Sequence, residues 1–258
     1  MPDNRDSSDN NGSAIVPRLA AKNLSKWFGH VGALQDVSVD FLPGLTGIVG
    51  DNGAGKSTLL KILSGFELPD RGGILLDGQP VAFHSARAAK AAGIESLYQT
   101  LALVDKMSIA DNIFLGREPM RRVLGLRMLD RRAMRRSADE TLKVLRIVMP
   151  PARVGVKQLS GGQRQAVALA RAIHFGARVV LLDEPTAALG PRETAAFLRI
   201  IRDTADHGET VVMVGHNLPQ MLELADHLIV MRAGKVVARF RRQETSLREL
   251  TDFMVGSA

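Results

Sequence analysis

Short apolar runs recur along the chain, and stretches with apolar residues at helical spacing lie between them. Residues 45–49, Ile94–Leu97, 179–182 and Thr210–Val214 have the composition of strands buried on both faces. Because helical patterns separate these runs, we predict an α/β fold with a mainly parallel sheet that helices cover on both sides.

The two ends of the folded part have a different pattern. Val37, Val39 and Phe41 alternate with polar residues, which predicts an N-terminal antiparallel β subdomain with one exposed face. Residues 228–240 predict a hairpin, and a short helix is expected to begin near Ser246. Antiparallel structure is therefore expected at both ends of the folded part of the chain.

Between residues 99 and 176 the pattern indicates helices only. Ser108 and Asp111 have the spacing of a capping box, and a second helix is expected to begin at Ser160. We therefore predict an α-helical insertion, residues 99–176, within the α/β core.

Composition excludes several classes of protein. The 258 residues include no cysteine, which excludes a disulfide framework and thiolate metal ligands. No apolar run approaches the ~20 residues of a membrane helix. Residues 1–17 are polar and are expected to form a disordered tail, which leaves one domain at 18–254 with its core at 18–98 and 177–254.

The net charge of +7 comes partly from one arginine-rich stretch. Met134, Ala138 and Leu142 share a helical face there, so the arginines are expected on the opposite face. That face is either solvated or meets an acidic partner or lipid headgroups. Aromatic residues are too sparse for base stacking, so no nucleic-acid partner is predicted. The arginines are Arg121, Arg122, Arg127, Arg131, Arg132, Arg135 and Arg136.

A glycine-rich segment between a predicted strand and a predicted helix carries the first chemical motif. It fits the phosphate-loop pattern G-x-x-x-x-G-K-[ST], in which backbone N–H groups surround an anion. Lys56 is expected to reach the β- and γ-phosphates of ATP, and the hydroxyl of Ser57 to bind Mg²⁺. The predicted ATP-binding residues are Gly50, Asp51, Asn52, Gly53, Ala54, Gly55, Lys56, Ser57 and Thr58.

Two acidic residues, Asp183 and Glu184, follow the predicted strand at 179–182. The carboxyl end of such a strand is where α/β sheets bind ligands. Asp183 is expected to hold Mg²⁺ through water, and Glu184 to act on the water that attacks the γ-phosphate. An isolated Asp-Glu pair would more often begin a solvated loop, but the upstream phosphate loop favours the catalytic interpretation.

A second candidate anion site consists of Leu159, Ser160, Gly161, Gly162 and Gln163. Serine and two glycines at a helix start expose N–H groups at the positive end of the helix dipole, although a plain N-cap has the same sequence. The segment resembles the signature of ABC ATPases, which other phosphate-loop enzymes lack. This resemblance covers residues 19–254 and implies ATP hydrolysis on a P-loop NTPase core.

The resemblance also implies roles for single residues. Gln99 matches the glutamine expected to touch Mg²⁺ and the attacking water and to contact the membrane partner. His216 matches the histidine that bonds the γ-phosphate. Phe28 matches the aromatic residue that stacks on adenine, with Trp27 as the competing ring.

In this family the signature segment meets the γ-phosphate of the opposite subunit, so the resemblance implies a homodimer with two ATP molecules between its subunits. One position departs from the family pattern. Most members have an aspartate where this chain has Gly190. No aspartate side chain can therefore make a contact across the dimer at this place.

Residues 112–118, together with the Ala-Ala-Leu-Gly segment that ends at Gly190, resemble ATPases of bacterial monosaccharide importers. This implies transmembrane permease subunits, a periplasmic binding protein and a position at the cytoplasmic face of the inner membrane. An amino-acid importer or a single-domain exporter remains an alternative. DNA-repair and ribosome-acting relatives are disfavoured because a coiled-coil insertion, a zinc module and a second cassette are all missing.

Overall fold

The computed structural model describes residues 16–97, 103–123, 126–144, 148–187 and 189–256. Most of the predicted N-terminal tail lies outside these ranges, and the predicted domain boundaries stay predictions. No helix in the described part of the chain is both long and apolar enough to cross a membrane.

A six-stranded sheet forms the centre of the fold. Its strands are β3 (Gly44–Val49), β6 (Ile94–Leu97), β9 (Val179–Asp183), β10 (Thr210–Val214), β11 (His227–Arg232) and β12 (Lys235–Arg241). Their order is β12-β11-β3-β10-β9-β6, and only β12 is antiparallel to its neighbour. The predicted parallel sheet and C-terminal hairpin are thus confirmed.

Helices cover this sheet on both faces. They are α1 (Lys56–Leu63), α2 (Ala86–Ala91), α3 (Ile109–Phe114), α4 (Arg131–Val144), α5 (Gly161–His174), α6 (Pro191–Asp206), α7 (Leu218–Leu224) and α8 (Leu247–Val255). Alternate residues of β9 show the arrangement. Val180 and Leu182 pack with the helices of the insertion, whereas Val179 and Leu181 pack with α1, and all four side chains are buried.

A second, antiparallel sheet contains β1 (Leu19–Phe28), β2 (Val31–Phe41), β4 (Arg71–Leu76) and β5 (Gln79–Val81), in the order β2-β1-β4-β5. Val37, Val39 and Phe41 are buried, as the alternation predicts. They share a hydrophobic cluster with Leu59 and Leu63 of α1. The antiparallel sheet is therefore fixed to the helix that follows the phosphate loop.

The insertion is not helical throughout, so the prediction of helices only is wrong there. It contains β7 (Met120–Val123) and β8 (Leu126–Leu129), which pair with each other as a hairpin and with no other strand in the described ranges. Arg121, Arg122 and Arg127 lie on this hairpin rather than on a helix. Because the hairpin buries no face, its residues lack the alternation that reveals a strand.

The remaining arginines of that stretch lie where the sequence predicts. On α4, Met134, Ala138 and Leu142 are buried against the core, and the arginines at its start are exposed. The predicted capping box of α3 is also present, because Ser108 Oγ accepts a hydrogen bond from the Asp111 N–H at 3.1 Å.

Candidate functional site

The phosphate loop joins the end of β3 to the start of α1. Gly50, Gly53 and Gly55 have φ angles of 152°, 81° and 97°, a region that favours glycine. A Cβ on Gly50 would lie 2.1 Å from the carbonyl oxygen of Met231, whereas one on Gly53 would meet no atom within 4 Å. The loop is therefore packed at its base and open in front, as close approach of a ligand requires.

The turn between β11 and β12 supports the loop from behind. Gly234 N–H donates to the Ala54 carbonyl at 3.1 Å, and Gln35 N–H donates to the Gly234 carbonyl at 2.8 Å. A Cβ on Gly55 would lie 2.4 Å from the carbonyl oxygen of Ala33. These contacts join segments far apart in the chain, so no local pattern predicts that this turn belongs to the site.

Lys56 lies at the start of α1 and is only 5% exposed. Its Nζ donates to the carbonyl oxygens of Gly50 at 2.7 Å and Asp51 at 2.8 Å. Burial lowers the pKa of Lys56, and the nearby charges of Glu184, Asp51 and Asp183 oppose that shift. A phosphate in the loop would supply the anion that a desolvated ammonium group lacks.

Ser57 and Asp183 come from different elements and meet beside the loop. Ser57 Oγ donates to Asp183 Oδ1 at 3.1 Å. Burial raises the pKa of Asp183, and the Ser57 hydrogen bond opposes this. A hydroxyl and a carboxylate are oxygen ligands suited to Mg²⁺, which commonly binds few protein groups and completes its shell with phosphate oxygens and water. The described residues contain no cluster of three His, Cys, Asp or Glu side chains suited to a metal.

The raised pKa of Asp183 predicts that its ionised carboxylate lowers the stability of the folded protein. The same negative charge is proposed to bind Mg²⁺. Folding favours the protonated carboxyl, so the ionised form destabilises the protein at pH values above the raised pKa. Asp183→Asn keeps an acceptor for Ser57 and removes that charge. We expect the nucleotide-free variant to melt at a higher temperature at neutral pH and to bind ATP with less dependence on Mg²⁺.

The pH dependence provides the control for this prediction. The stabilisation by Asp183→Asn should shrink as the pH falls through the raised pKa, because the wild-type carboxyl then becomes neutral as well. Thermal unfolding of both proteins across acidic and neutral pH measures this. A variant that is less stable than wild type at neutral pH would contradict the burial penalty on Asp183.

Glu184 directly follows the end of β9, and His216 lies just after the end of the neighbouring strand β10. His216 Nε2 lies 2.5 Å from Glu184 Oε1. The backbone of Glu184 has a φ of 48°, and its N–H donates to the Val214 carbonyl at 3.2 Å, which links the end of β9 to β10. Both side chains line a cavity of about 270 Å³. Both residues are therefore partly open to solvent, although no phosphate-loop residue lines this cavity.

The signature segment begins α5. Ser160 Oγ accepts from the Gln163 N–H at 3.4 Å, and Gln163 Oε1 accepts from the Ser160 N–H at 3.1 Å. Leu159 is buried, which anchors the segment. Among the described residues, no hydrogen bond or ion pair joins Ser160, Gly161, Gly162 or Gln163 to the phosphate loop. Within the described part of one chain, no such bond connects the two predicted anion sites.

Gly190 precedes α6 as its N-cap. Its N–H donates to Glu193 Oε2 at 3.3 Å, and as glycine it offers no side-chain acceptor. A Cβ on Gly162 would lie 3.0 Å from the Cβ of Glu193, so the starts of α5 and α6 are packed together. Gly190, where most family members have an aspartate, therefore lies at a helix start that packs against the signature segment.

Two predicted site residues, Phe28 and Gln99, are not among those that the structure brings together. Phe28 ends β1 and is 48% exposed, with Lys26 Nζ at 5.4 Å from its ring centre. Its competitor Trp27 is also exposed, and the Arg71 guanidinium lies over its ring at 5.6 Å. Neither ring packs in the core, so the choice between them stays a prediction. Gln99 lies outside the described residues.

Comparison with known proteins identifies the family. Residues 34–187 match the family model described as ABC transporter. The fructose import ATP-binding protein FrcA of Rhizobium meliloti is 42% identical over 95% of this chain and 96% of its own length. The xylose/arabinose import ATP-binding protein XylG of Sulfolobus acidocaldarius is 41% identical over 93% and 94%. In the ribose import ATP-binding protein RbsA 3 of Rhizobium etli, the match covers 46% of that protein at 41% identity.

Solved structures agree with these relatives. The ADP conformation of MJ1267, an ATP-binding cassette of an ABC transporter, has a TM-score of 0.77 and 25% identity over 92% of this chain and 94% of that one. The dimeric cassette MJ0796 has a TM-score of 0.73 and 24% identity over 88% of this chain and all of that one. The shared fold, the family match and the identity to full-length relatives lead to one conclusion. The chain belongs to the ABC transporter family and is one of its ATP-binding cassettes.

Proposed function

We propose that this chain hydrolyses ATP to drive import of a monosaccharide through separate membrane subunits. The observation that carries the proposal is the convergence of Lys56, Ser57, Asp183, Glu184 and His216 at the ends of neighbouring strands, beside an open phosphate loop. Such an arrangement can bind a nucleoside triphosphate and place a carboxylate beside its γ-phosphate.

The phosphate groups would be held by the loop and by Lys56. Open space in front of Gly53 lets phosphate oxygens reach the backbone N–H groups of the loop, and the ammonium of Lys56 neutralises charge on the β- and γ-phosphates. Ser57 and Asp183 would hold Mg²⁺, which supplies further charge neutralisation when bound. Gln99 is proposed to join this group.

Glu184 is proposed to orient the attacking water and accept its proton. Its side chain beside His216 is 28% exposed, so water can reach it. His216 would donate a hydrogen bond to the γ-phosphate once the nucleotide is bound, which changes the partner of its Nε2. Phe28 is proposed to stack on adenine, because an exposed ring at the end of β1 can take a second planar partner.

The site of one chain is proposed to be completed by the signature segment of a second copy. Residues 159–163 form a capped helix start that makes no hydrogen bond or ion pair with a phosphate-loop residue of its own chain in the described part. A head-to-tail dimer would bring each helix start to the γ-phosphate held by its partner. Two ATP molecules would then hold the dimer closed until hydrolysis.

Support for a monosaccharide cargo comes from the similarity to relatives, because the nucleotide site does not contact the cargo. FrcA and XylG, which are named for sugar import, match this chain along nearly their whole lengths. We therefore propose two permease subunits, a periplasmic sugar-binding protein and a position at the cytoplasmic face of the inner membrane. Closure of the dimer would move the permease through the segment that contains Gln99.

Reconstitution tests this proposal directly. The chain is incorporated with its permease into proteoliposomes, and ATPase activity is measured with candidate solutes and binding proteins. We expect a monosaccharide with its binding protein to raise the rate, and Glu184→Gln to abolish the response. Stimulation by an amino acid or a lipid, with none by any sugar, would contradict the assigned cargo.

A further inference from the structure

An exposed arginine-rich surface lies outside the nucleotide site. We call it the basic hairpin surface and define it as β7, β8 and the first two turns of α4. Its arginine side chains are all exposed. They are Arg121, Arg122, Arg127, Arg131, Arg132, Arg135 and Arg136.

These arginines have no carboxylate partner among the described residues. Ion pairs elsewhere on the surface join arginine to aspartate, as in Arg164–Asp105 and Arg178–Asp77, but none involves the basic hairpin surface. Four acidic residues are close to this surface in sequence. On α4, Asp139 accepts from the Ala152 N–H at 2.9 Å, and Glu140 makes no ion pair among the described residues. Glu118 accepts from the Gly116 N–H and Asp130 from the Ala133 N–H, each at 3.0 Å. The positive charge is therefore not balanced within the described part of the fold.

The hairpin itself brings like charges together. Arg122 on β7 is directly opposite Arg127 on β8, and the two residues lie on one face of the strand pair. Like charges opposite each other destabilise a hairpin unless an anion lies between them. An external anion at this place would remove that repulsion.

Apolar side chains are interleaved with the arginines. Met120, Leu126, Met128 and Leu129 are exposed, and Leu126, next to the hairpin turn, is 69% exposed. Met128 and Leu129 line a groove of about 690 Å³ together with four of the arginines. The register places Met120 and Leu129 on the face of Arg122 and Arg127, and Leu126 and Met128 on the other face with Arg121. A purely solvated basic hairpin would not require exposed apolar side chains on both faces.

We propose that the basic hairpin surface contacts an acidic phospholipid bilayer directly. Arginine forks bind phosphate oxygens of lipid headgroups, and exposed Leu and Met side chains enter the boundary between headgroups and acyl chains. An acidic protein segment would pair with the arginines but would leave Leu126 at the hairpin turn in water. Nucleic acid is disfavoured because the surface offers no aromatic side chain for stacking.

This contact goes beyond the proposed function, because it needs neither the permease nor hydrolysis. It would hold the cassette against the membrane in a fixed orientation and raise its local concentration near the permease. A failure of lipid binding leaves ATP hydrolysis unaffected, and the reverse also holds, so the two proposals can fail separately.

Vesicle flotation of the full chain without permease tests the lipid contact. Vesicles of phosphatidylcholine alone are compared with an equal mixture of phosphatidylcholine and phosphatidylglycerol, at low and high salt. We expect binding only to the acidic vesicles, weakened by salt. Arg122→Glu with Arg127→Glu should weaken it about thirty-fold or more, because each basic side chain near an anionic surface strengthens binding roughly five-fold.

A matched control separates this surface from net charge. Arg87→Glu with Arg248→Glu changes the total charge equally at exposed positions far from the hairpin in sequence, and should bind acidic vesicles nearly as wild type does. Leu126→Ser, which leaves every charge in place, should also reduce binding. Equal binding by the hairpin and control variants would overturn the proposal. The proposal would also be overturned if the hairpin variant bound acidic vesicles as wild type does but no longer associated with the permease. The partner of this surface would then be an acidic protein.

Basal ATPase activity and thermal unfolding are measured on every variant. We expect both to stay near wild-type values for Arg122→Glu with Arg127→Glu, since the opposed pair remains a like-charge pair. If that variant does not fold, Leu126→Ser decides the outcome, and its undiminished binding to acidic vesicles would overturn the proposal.

Discussion

Replacing Glu184 by glutamine is expected to abolish ATP turnover while leaving ATP binding intact. Glutamine keeps the size of the side chain and an oxygen that can accept from His216 Nε2, now 2.5 Å from the carboxylate. It cannot accept the proton of the attacking water. A positioned general base contributes about 10²–10⁴-fold, so the turnover number should fall by about that factor.

The same variant should accumulate as an ATP-bound dimer, because the step that reopens the dimer is lost. Size-exclusion chromatography with ATP measures this, and the turnover number is measured in parallel. Glu223→Gln on α7 makes the same chemical change outside the proposed site and should behave as wild type. Near-normal ATPase activity in Glu184→Gln would remove Glu184 from the catalytic role.

Replacing Ser160 by arginine is expected to stop hydrolysis without stopping nucleotide binding to the phosphate loop. The bulky cation occupies the start of α5, where the partner's γ-phosphate is proposed to bind. Removal of one preorganised group that stabilises charge in the transition state costs about 10²–10³-fold in rate. We therefore expect at least this loss of activity, and a protein that remains monomeric with ATP.

Loss of the helix cap alone must be distinguished from this effect. Ser246 is the N-cap of α8 and accepts from the Glu249 N–H, so Ser246→Arg removes a comparable cap away from the proposed site. A lost N-cap costs about 1 kcal/mol of stability. We expect both variants to lose similar stability, but only Ser160→Arg to lose activity. Equal ATPase rates in the two variants would limit Ser160 to a structural role.

Much of the fold could be predicted because its signals are local. The apolar composition of β3, β9 and β10 indicates strands buried on both faces, and Ser108 with Asp111 marks the start of α3. Motif spacing placed Ser57 and Asp183 in one metal site, and the two side chains lie 3.1 Å apart. That contact was predictable because the helix start after β3 and the carboxyl end of β9 lie at the same edge of the parallel sheet, although β10 separates the two strands.

Other features depend on contacts that no local pattern contains. The hairpin of β7 and β8 buries neither face, so residues 120–129 show no period that marks strands. The packing of Gly234 behind the phosphate loop joins segments far apart in the chain. The direct contact of Glu184 with His216 also arises from the sheet order, which places β9 beside β10. The choice between Phe28 and Trp27 depends on ring orientation around a nucleotide and stays a prediction.

If each ATP site is built from two chains, as we propose, two inactive variants should recover ATPase activity when they are mixed. Lys56→Ala removes the phosphate-loop lysine but keeps the signature segment, whereas Ser160→Arg does the reverse. A mixed dimer would contain one site with both changes and one intact site. If half of the dimers are mixed, about a quarter of wild-type ATPase activity should appear, because only one of the two sites in each mixed dimer is intact. A mixture as inactive as its two components, although mixed dimers form, would contradict the claim.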